Sequence, residues 1–211
     1  MPNILFHLQF PAPTLPAQIG LDSFFESVDG WDLNAGVPGT VTLDVDKVWL
    51  STNAGAGAWA GIMKRLAYPR FPLTWSKPRQ FKLKARVDVT GDAGSLIYIC
   101  SGNEAANRWA FGFRFTNTMV RGFSKNGGAE SYINLITGLT APYTRDEVYE
   151  AIFTPGSKIE FYIDGVLKGT LAVSLPTGTT DAERLGRLFV YSSVAVTHEI
   201  RTSMFRVIQD E

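Results

Sequence analysis

Between Phe81 and Val89 the chain reads Phe81-Lys82-Leu83-Lys84-Ala85-Arg86-Val87-Asp88-Val89, with every odd position apolar and every even one charged. Side chains alternate across a strand but return to one face of a helix about every 3.6 residues, so this period of two has no helical alternative. The segment is a strand with one face in a core and Lys82, Lys84 and Arg86 in water. Trp109, Phe111, Phe113 and Phe115 alternate with Arg108, Ala110, Gly112 and Arg114 in the same way. That places an aromatic ladder on one side of a second strand, which is expected to be central.

From Leu21 onward, short apolar runs are punctuated by Asp29-Gly30, Pro38-Gly39, Gly91-Asp92, Asn126-Gly127-Gly128, Pro155-Gly156 and Asp164-Gly165, which are turn-forming pairs. Ile159, Phe161 and Ile163 share a face, Asp164-Gly165 tolerates the positive φ angles of a two-residue hairpin, and Val166 to Leu171 returns as the partner strand. Roughly twelve to fourteen strands follow from this pattern. Helical candidates are short, at Thr180 to Leu185 and near Arg145, because no apolar pattern of helical period persists for three turns. Many short strands with no helix to cover a parallel sheet imply an all-β, antiparallel jelly-roll sandwich. Residues 1–19, with Pro11, Pro13 and Pro16, read as an extended arm, and 20–211 as one sandwich domain.

Lys plus Arg is 20 and Asp plus Glu is 20, so the chain lacks the basic footprint of a nucleic-acid or anionic-lipid binder. No run approaches the roughly 18 apolar residues of a membrane helix, and Met1 to Pro16 has neither the basic start nor the apolar centre of a signal peptide. Nucleic acid and membrane insertion are therefore not expected as partners. The absent leader pattern fits a cytoplasmic product, a virion protein released by lysis or a domain apart from its native leader, and leaves the location open, with an extracellular or virion-surface site among the readings. Cys100 is the single cysteine and closes the apolar run Leu96 to Cys100. It can form no internal disulfide and reads as a small buried hydrophobe.

The stretch Ile159-Glu160-Phe161-Tyr162-Ile163-Asp164-Gly165-Val166-Leu167-Lys168-Gly169-Thr170-Leu171 resembles the late hairpin of concanavalin A-like lectin/glucanase and laminin-G-like domains. The aromatic strand ahead of it and the closing Met204-Phe205-Arg206-Val207 are similar to that layout. The resemblance spans roughly Leu21 to Glu211 and implies fold far more than activity. Its glycosidases carry E-x-D-x-x-E, with two carboxyls about 5 Å apart, and its alginate-lyase-like members a Gln-x-His string; neither string occurs here. Glu147 and Glu150, by their odd spacing, belong on opposite faces of a strand. Asp44 and Asp46 read either as a solvated outer face or as a calcium site, and no other cofactor is implied.

Sugar recognition needs aromatic faces and polar side chains in a preformed groove. Trp31 and Trp59 lie beside turn residues, and Arg108 and Arg114 flank the small residues Ala110 and Gly112, with Arg121 on the next strand. The loop from Ser101 to Asn107, including Asn103, forms a rim. The ligand-binding candidates are thus Trp31, Trp59, Asn103, Arg108, Arg114 and Arg121, in a non-catalytic module that recognises a glycan or a protein surface. One alternative is a structural virion or surface-assembly protein, a capsid decoration or fibre component, whose arm reaches onto neighbouring copies in a homo-oligomer. A polysaccharide-degrading enzyme on the same fold is another.

Overall fold

The computed structural model describes residues 18–23, 31–44, 47–65, 74–90, 96–182 and 184–210. Most of the N-terminal arm and Asp46 lie outside them. The described elements are β1 (Gln18–Ser23), β2 (Trp31–Gly36), β3 (Thr40–Asp44), β4 (Lys47–Ser51), β5 (Trp59–Arg65), β6 (Arg79–Val89), β7 (Leu96–Gly102) and β8 (Ala110–Phe115). They continue with β9 (Val120–Asn126), β10 (Ala129–Ile136), β11 (Tyr143–Thr154), β12 (Lys158–Ile163), β13 (Val166–Leu171), β14 (Arg184–Tyr191) and β15 (Glu199–Asp210). One sheet runs β13-β12-β11-β6-β15-β4-β3, with β1 beside β15, and the other runs β10-β9-β8-β7-β14-β5-β2. All pairings are antiparallel, and the chain forms the all-β jelly-roll sandwich its alternation implies.

β6 buries Phe81, Leu83, Ala85, Val87 and Val89 and turns Lys82, Lys84 and Arg86 outward. From β8, Phe111, Phe113 and Phe115 cross the interface to the opposite sheet. Phe113 lies 6.3 Å from Phe81, 5.2 Å from Tyr149 and 5.6 Å from Phe161 between ring centroids. Phe111 stacks on Phe153 at 5.4 Å. One strand therefore reaches three strands of the facing sheet, and each buried ring contributes about 1.5–3 kcal/mol. Trp109 precedes β8 and is packed against the same core.

The Asp164-Gly165 hairpin has φ of 50° and 75°, as its two-residue turn requires. Two short helices expected from the sequence are absent among the described residues. Arg145 sits inside β11, where Tyr143, Arg145, Glu147 and Tyr149 share a face. Residues 179–182 turn, with Ala182 N–H donating to Thr179 O, and Arg184 N–H donates to Asp181 O where β14 begins. Glu147 and Glu150 do part company across β11. Glu147 accepts from the Tyr149 hydroxyl at 2.8 Å, whereas Glu150 meets Lys82 on the outer face at 3.0 Å.

Gly112 is a point of close approach between β7 and β8. A Cβ there would lie 2.2 Å from Ile99 O and 2.6 Å from Cys100 Cα, and backbone atoms cannot swing aside. Gly112→Ala is expected to cost about 1–3 kcal/mol in urea denaturation. A loss below a few tenths would show that the strands separate freely.

Candidate binding face

Residues of β7, β8, β9, β10 and β14 that do not enter the core form the outer face of the seven-stranded sheet. Register sets them in rows. In one row Phe189 stands opposite Tyr98, Tyr98 opposite Arg114, Arg114 opposite Arg121, and Arg121 opposite Asn134. The next row holds Arg187, Cys100, Gly112, Phe123 and Tyr132. Side chains directly opposite each other lie about 5 Å apart and interact.

Arginines and rings interleave across these rows. The Arg114 guanidinium lies 5.6 Å from the Tyr98 ring centroid and 5.3 Å from that of Tyr132, and Arg114 Nη1 donates to Tyr132 Oη at 2.6 Å. Arg121 approaches the same Tyr132 ring to 5.4 Å and donates through Nε to Asn134 Oδ1 at 3.2 Å. Arg187 lies 5.2 Å from the Phe189 ring. Burial raises the Tyr98 phenol well above its ordinary value, and burial with a hydrogen bond to Glu130 raises that of Tyr132. Both keep their proton at neutral pH, so the rings stay uncharged beside the arginines. Cation–π contact of this kind holds a guanidinium flat and partly desolvated without neutralising it.

A second group closes one end of the face. Glu104, in the loop after β7, is buried, and Arg187 Nε meets its Oε2 at 3.0 Å. Arg187 Nη1 also donates to Asn103 Oδ1 at 2.6 Å, and Lys125 Nζ donates to Glu104 O at 2.7 Å. Burial pushes the Glu104 carboxyl above its ordinary value, while Arg187 pulls the other way. Cys100 is fully buried, as its sequence context implies, but in a small cluster with Tyr98, Ala110 and Phe123 on this outer side. Its thiol is pushed up, chiefly by burial, so it is a poor nucleophile.

The sequence candidates fall into separate places. Arg114 and Arg121 are adjacent. Arg108 precedes β8, and its side chain is 45% exposed beside Asp181 at 3.9 Å; six residues of extended chain put it roughly 20 Å from Arg114. Asn103 is buried, and its amide oxygen accepts from Arg187 and from Ala105 N. It organises the rim loop. Trp59 opens β5, packs over Gly36 and lies 6.2 Å from Phe189, extending the aromatic row. Trp31 opens β2, and Asp44 ends β3 opposite Lys47, but their side chains, like Asp46, lie outside the described residues. Among the described residues no three His, Cys, Asp or Glu cluster as metal ligands, and no helix is long and apolar enough to cross a membrane.

Tyr98, Tyr132, Phe189, Arg187 and Glu104 escaped the sequence reading. The signal for Arg187 and Phe189 was present in β14, where Arg187, Phe189 and Tyr191 alternate with Leu188 and Val190. Two shallow depressions, of about 310 and 390 Å³, lie on the other sheet's outer face around Arg86 and Arg201. They are lined by charged groups without an aromatic ladder.

No protein-family model and no curated protein sequence matches the chain. Solved structures do. The cellulose-induced protein Cip1 superposes with a TM-score of 0.62 at 12% identity, over 89% of this chain and 96% of that one. The Crh5 transglycosylase gives 0.55 at 14% identity, over 91% and 84%. The Emp47p carbohydrate recognition domain gives 0.55 at 7% identity, over 87% and 90%. At such identities the likeness is one of fold.

Proposed function

We propose that this concanavalin A-like sandwich is a non-catalytic, lectin-like module that holds a glycan against the outer face of its seven-stranded sheet. The observation carrying the reading is the cross-strand row Phe189, Arg114, Arg121 and Asn134, seated on the buried ring of Tyr98, with both guanidinium groups against Tyr132. Sugar rings offer apolar C–H faces to aromatic rings and hydroxyls to guanidinium and amide groups. Strands hold these side chains in place before binding, which lowers the ordering cost. A carbohydrate recognition domain and a transglycosylase among the structures of like fold support a glycan partner.

The non-catalytic part rests on the carboxylates. A retaining glycosidase sets two carboxyls about 5–5.5 Å apart on either side of the sugar bond. On this face Glu104 is buried against Arg187, and Glu130 lies 3.7 Å from Lys125, so both are spent on cations.

On a glycan array, Arg114→Ala and Tyr132→Ala should each lose about tenfold or more in affinity. Both side chains are partly exposed, so melting temperatures should stay within about 4 °C of the parent. An array with no bound glycan would sink the reading. Release of new reducing ends from a bound polysaccharide would convert the module into an enzyme.

A further inference from the structure

We infer that the glycan is acidic: a uronic-acid polysaccharide whose carboxylate is clamped between Arg114 and Arg121. This rests on the glycan-binding reading and names the ligand class for the same face.

The chain is neutral overall, yet its charge is not evenly compensated. On the opposite sheet Lys82 meets Glu150, Arg86 meets Asp88, and Arg201 meets Glu199, all within 3.1 Å. On the binding face Arg187 is matched by Glu104 and Lys125 by Glu130. Arg114 and Arg121 stand directly opposite each other, and among the described residues no carboxylate comes within ion-pair distance of either. Like charges at such a pair repel. Fixing them there over one shared tyrosine ring leaves a positive site that an anion between them would relieve.

Geometry narrows the anion. The Cα atoms of two directly opposite strand residues are about 5 Å apart, and both guanidinium groups converge on the Tyr132 ring, at 5.3 and 5.4 Å from its centroid, so both address one group. A planar guanidinium edge matches the two oxygens of a planar carboxylate. A uronate carries its carboxylate directly on the pyranose ring, so a sugar laid across this row of strands brings that group to both arginines. Phe189 and Trp59 continue the apolar row for adjoining residues of the polymer.

The test is affinity electrophoresis of the whole chain in gels containing polygalacturonate, alginate or hyaluronan. Controls are the same polymers after carboxyl reduction to neutral chains, a neutral β-glucan, and dextran sulfate. At least one polyuronate should retard the protein. Carboxyl reduction, Arg114→Ala and Arg121→Ala should each weaken that binding tenfold or more, and raising the salt should weaken it further. Lysine at position 114 should restore only part, since an ammonium keeps the charge but not the fork. Equal retardation by the reduced polymer, or binding confined to the neutral glucan, overturns the acidic assignment and leaves the glycan reading standing. Binding to dextran sulfate that both arginine variants retain marks a generic polyanion effect and also overturns it. No retardation by any polymer, together with an empty glycan array, removes both.

Discussion

Arg79→Met should lower the unfolding free energy by about 3–5 kcal/mol. Arg79 begins β6 in the same parity as Phe81 and is only 1% exposed. Its Nη1 donates to Ser101 Oγ at 3.1 Å, and its Nη2 to Gln209 Oε1 at 2.9 Å and Ala182 O at 2.8 Å. Those acceptors belong to β7 of one sheet, β15 of the other, and the turn before β14. The guanidinium also lies 4.2 Å from the Trp75 ring centroid, and Gln209 passes the connection on by donating to Thr74 O at 2.6 Å. A thioether fills the volume but leaves three buried acceptors short of a donor. Lysine keeps the charge yet has no planar fork to span all three, so Arg79→Lys should recover less than half. Lys84→Met, on the exposed face of the same strand, should stay within about 0.5 kcal/mol. Urea titration followed by tryptophan emission measures all three, and an Arg79→Met loss under 1 kcal/mol would mean that water replaces the guanidinium.

Arg79 also marks where the sequence stops being legible. The alternation from Phe81 to Val89 names its inward face because charge and burial agree at each position. Extended two residues back, the same parity points Arg79 inward, against the rule that charge lies outside. Only its acceptors, 22, 103 and 130 residues away in the chain, reconcile the two. The aromatic ladder of β8 and the Asp164-Gly165 hairpin were legible because both are local: side-chain period in one, turn stereochemistry in the other. The short helices were misjudged because the strand period near Arg145 is carried by Tyr143, Arg145, Glu147 and Tyr149. All four are large and polar enough to mask an inward face.

Half of the binding face was readable for the same reason. Arg114 and Arg121 alternate visibly with apolar neighbours, and a short turn after β8 makes them cross-strand partners. Arg108 shares Arg114's parity but not its neighbourhood, a distinction that period alone cannot draw. Tyr98 was hidden in an apolar run, Leu96 to Cys100, that is covered on both sides and therefore shows no alternation. Arg187 and Phe189 reach the face through the pairing of β14 with β7, a contact made across some ninety residues of chain. Nothing in the loop's composition foretells that Glu104 is buried.

Arg187→Ala should cost about 3–5 kcal/mol at neutral pH and much less in acid, and the pH dependence identifies the cause. Glu104 is buried beside Arg187, with the Cys100 thiol and Lys125 as its other neighbours. Its folded value is already raised above the ordinary 4.5 by burial, with Arg187 the largest opposing influence. Removing the guanidinium deletes the largest of the influences that oppose burial, so the folded value rises further. Between the unfolded and the folded value the native state holds a proton that the unfolded chain has released, and stability therefore falls as pH rises through that window. The variant should approach parental stability near pH 4 and lose it progressively upward. The parent should show the same slope over a narrower range. Combining Arg187→Ala with Glu104→Gln removes the buried charge together with its partner, so the double variant should recover much of the loss at pH 7 and lose the extra slope. Thermal melts of the parent, Arg187→Ala and the double variant from pH 4 to 9 give the comparison. A loss in Arg187→Ala that is flat with pH would assign the effect to the Asn103 hydrogen bond and the Phe189 contact, and would remove Glu104 from the account.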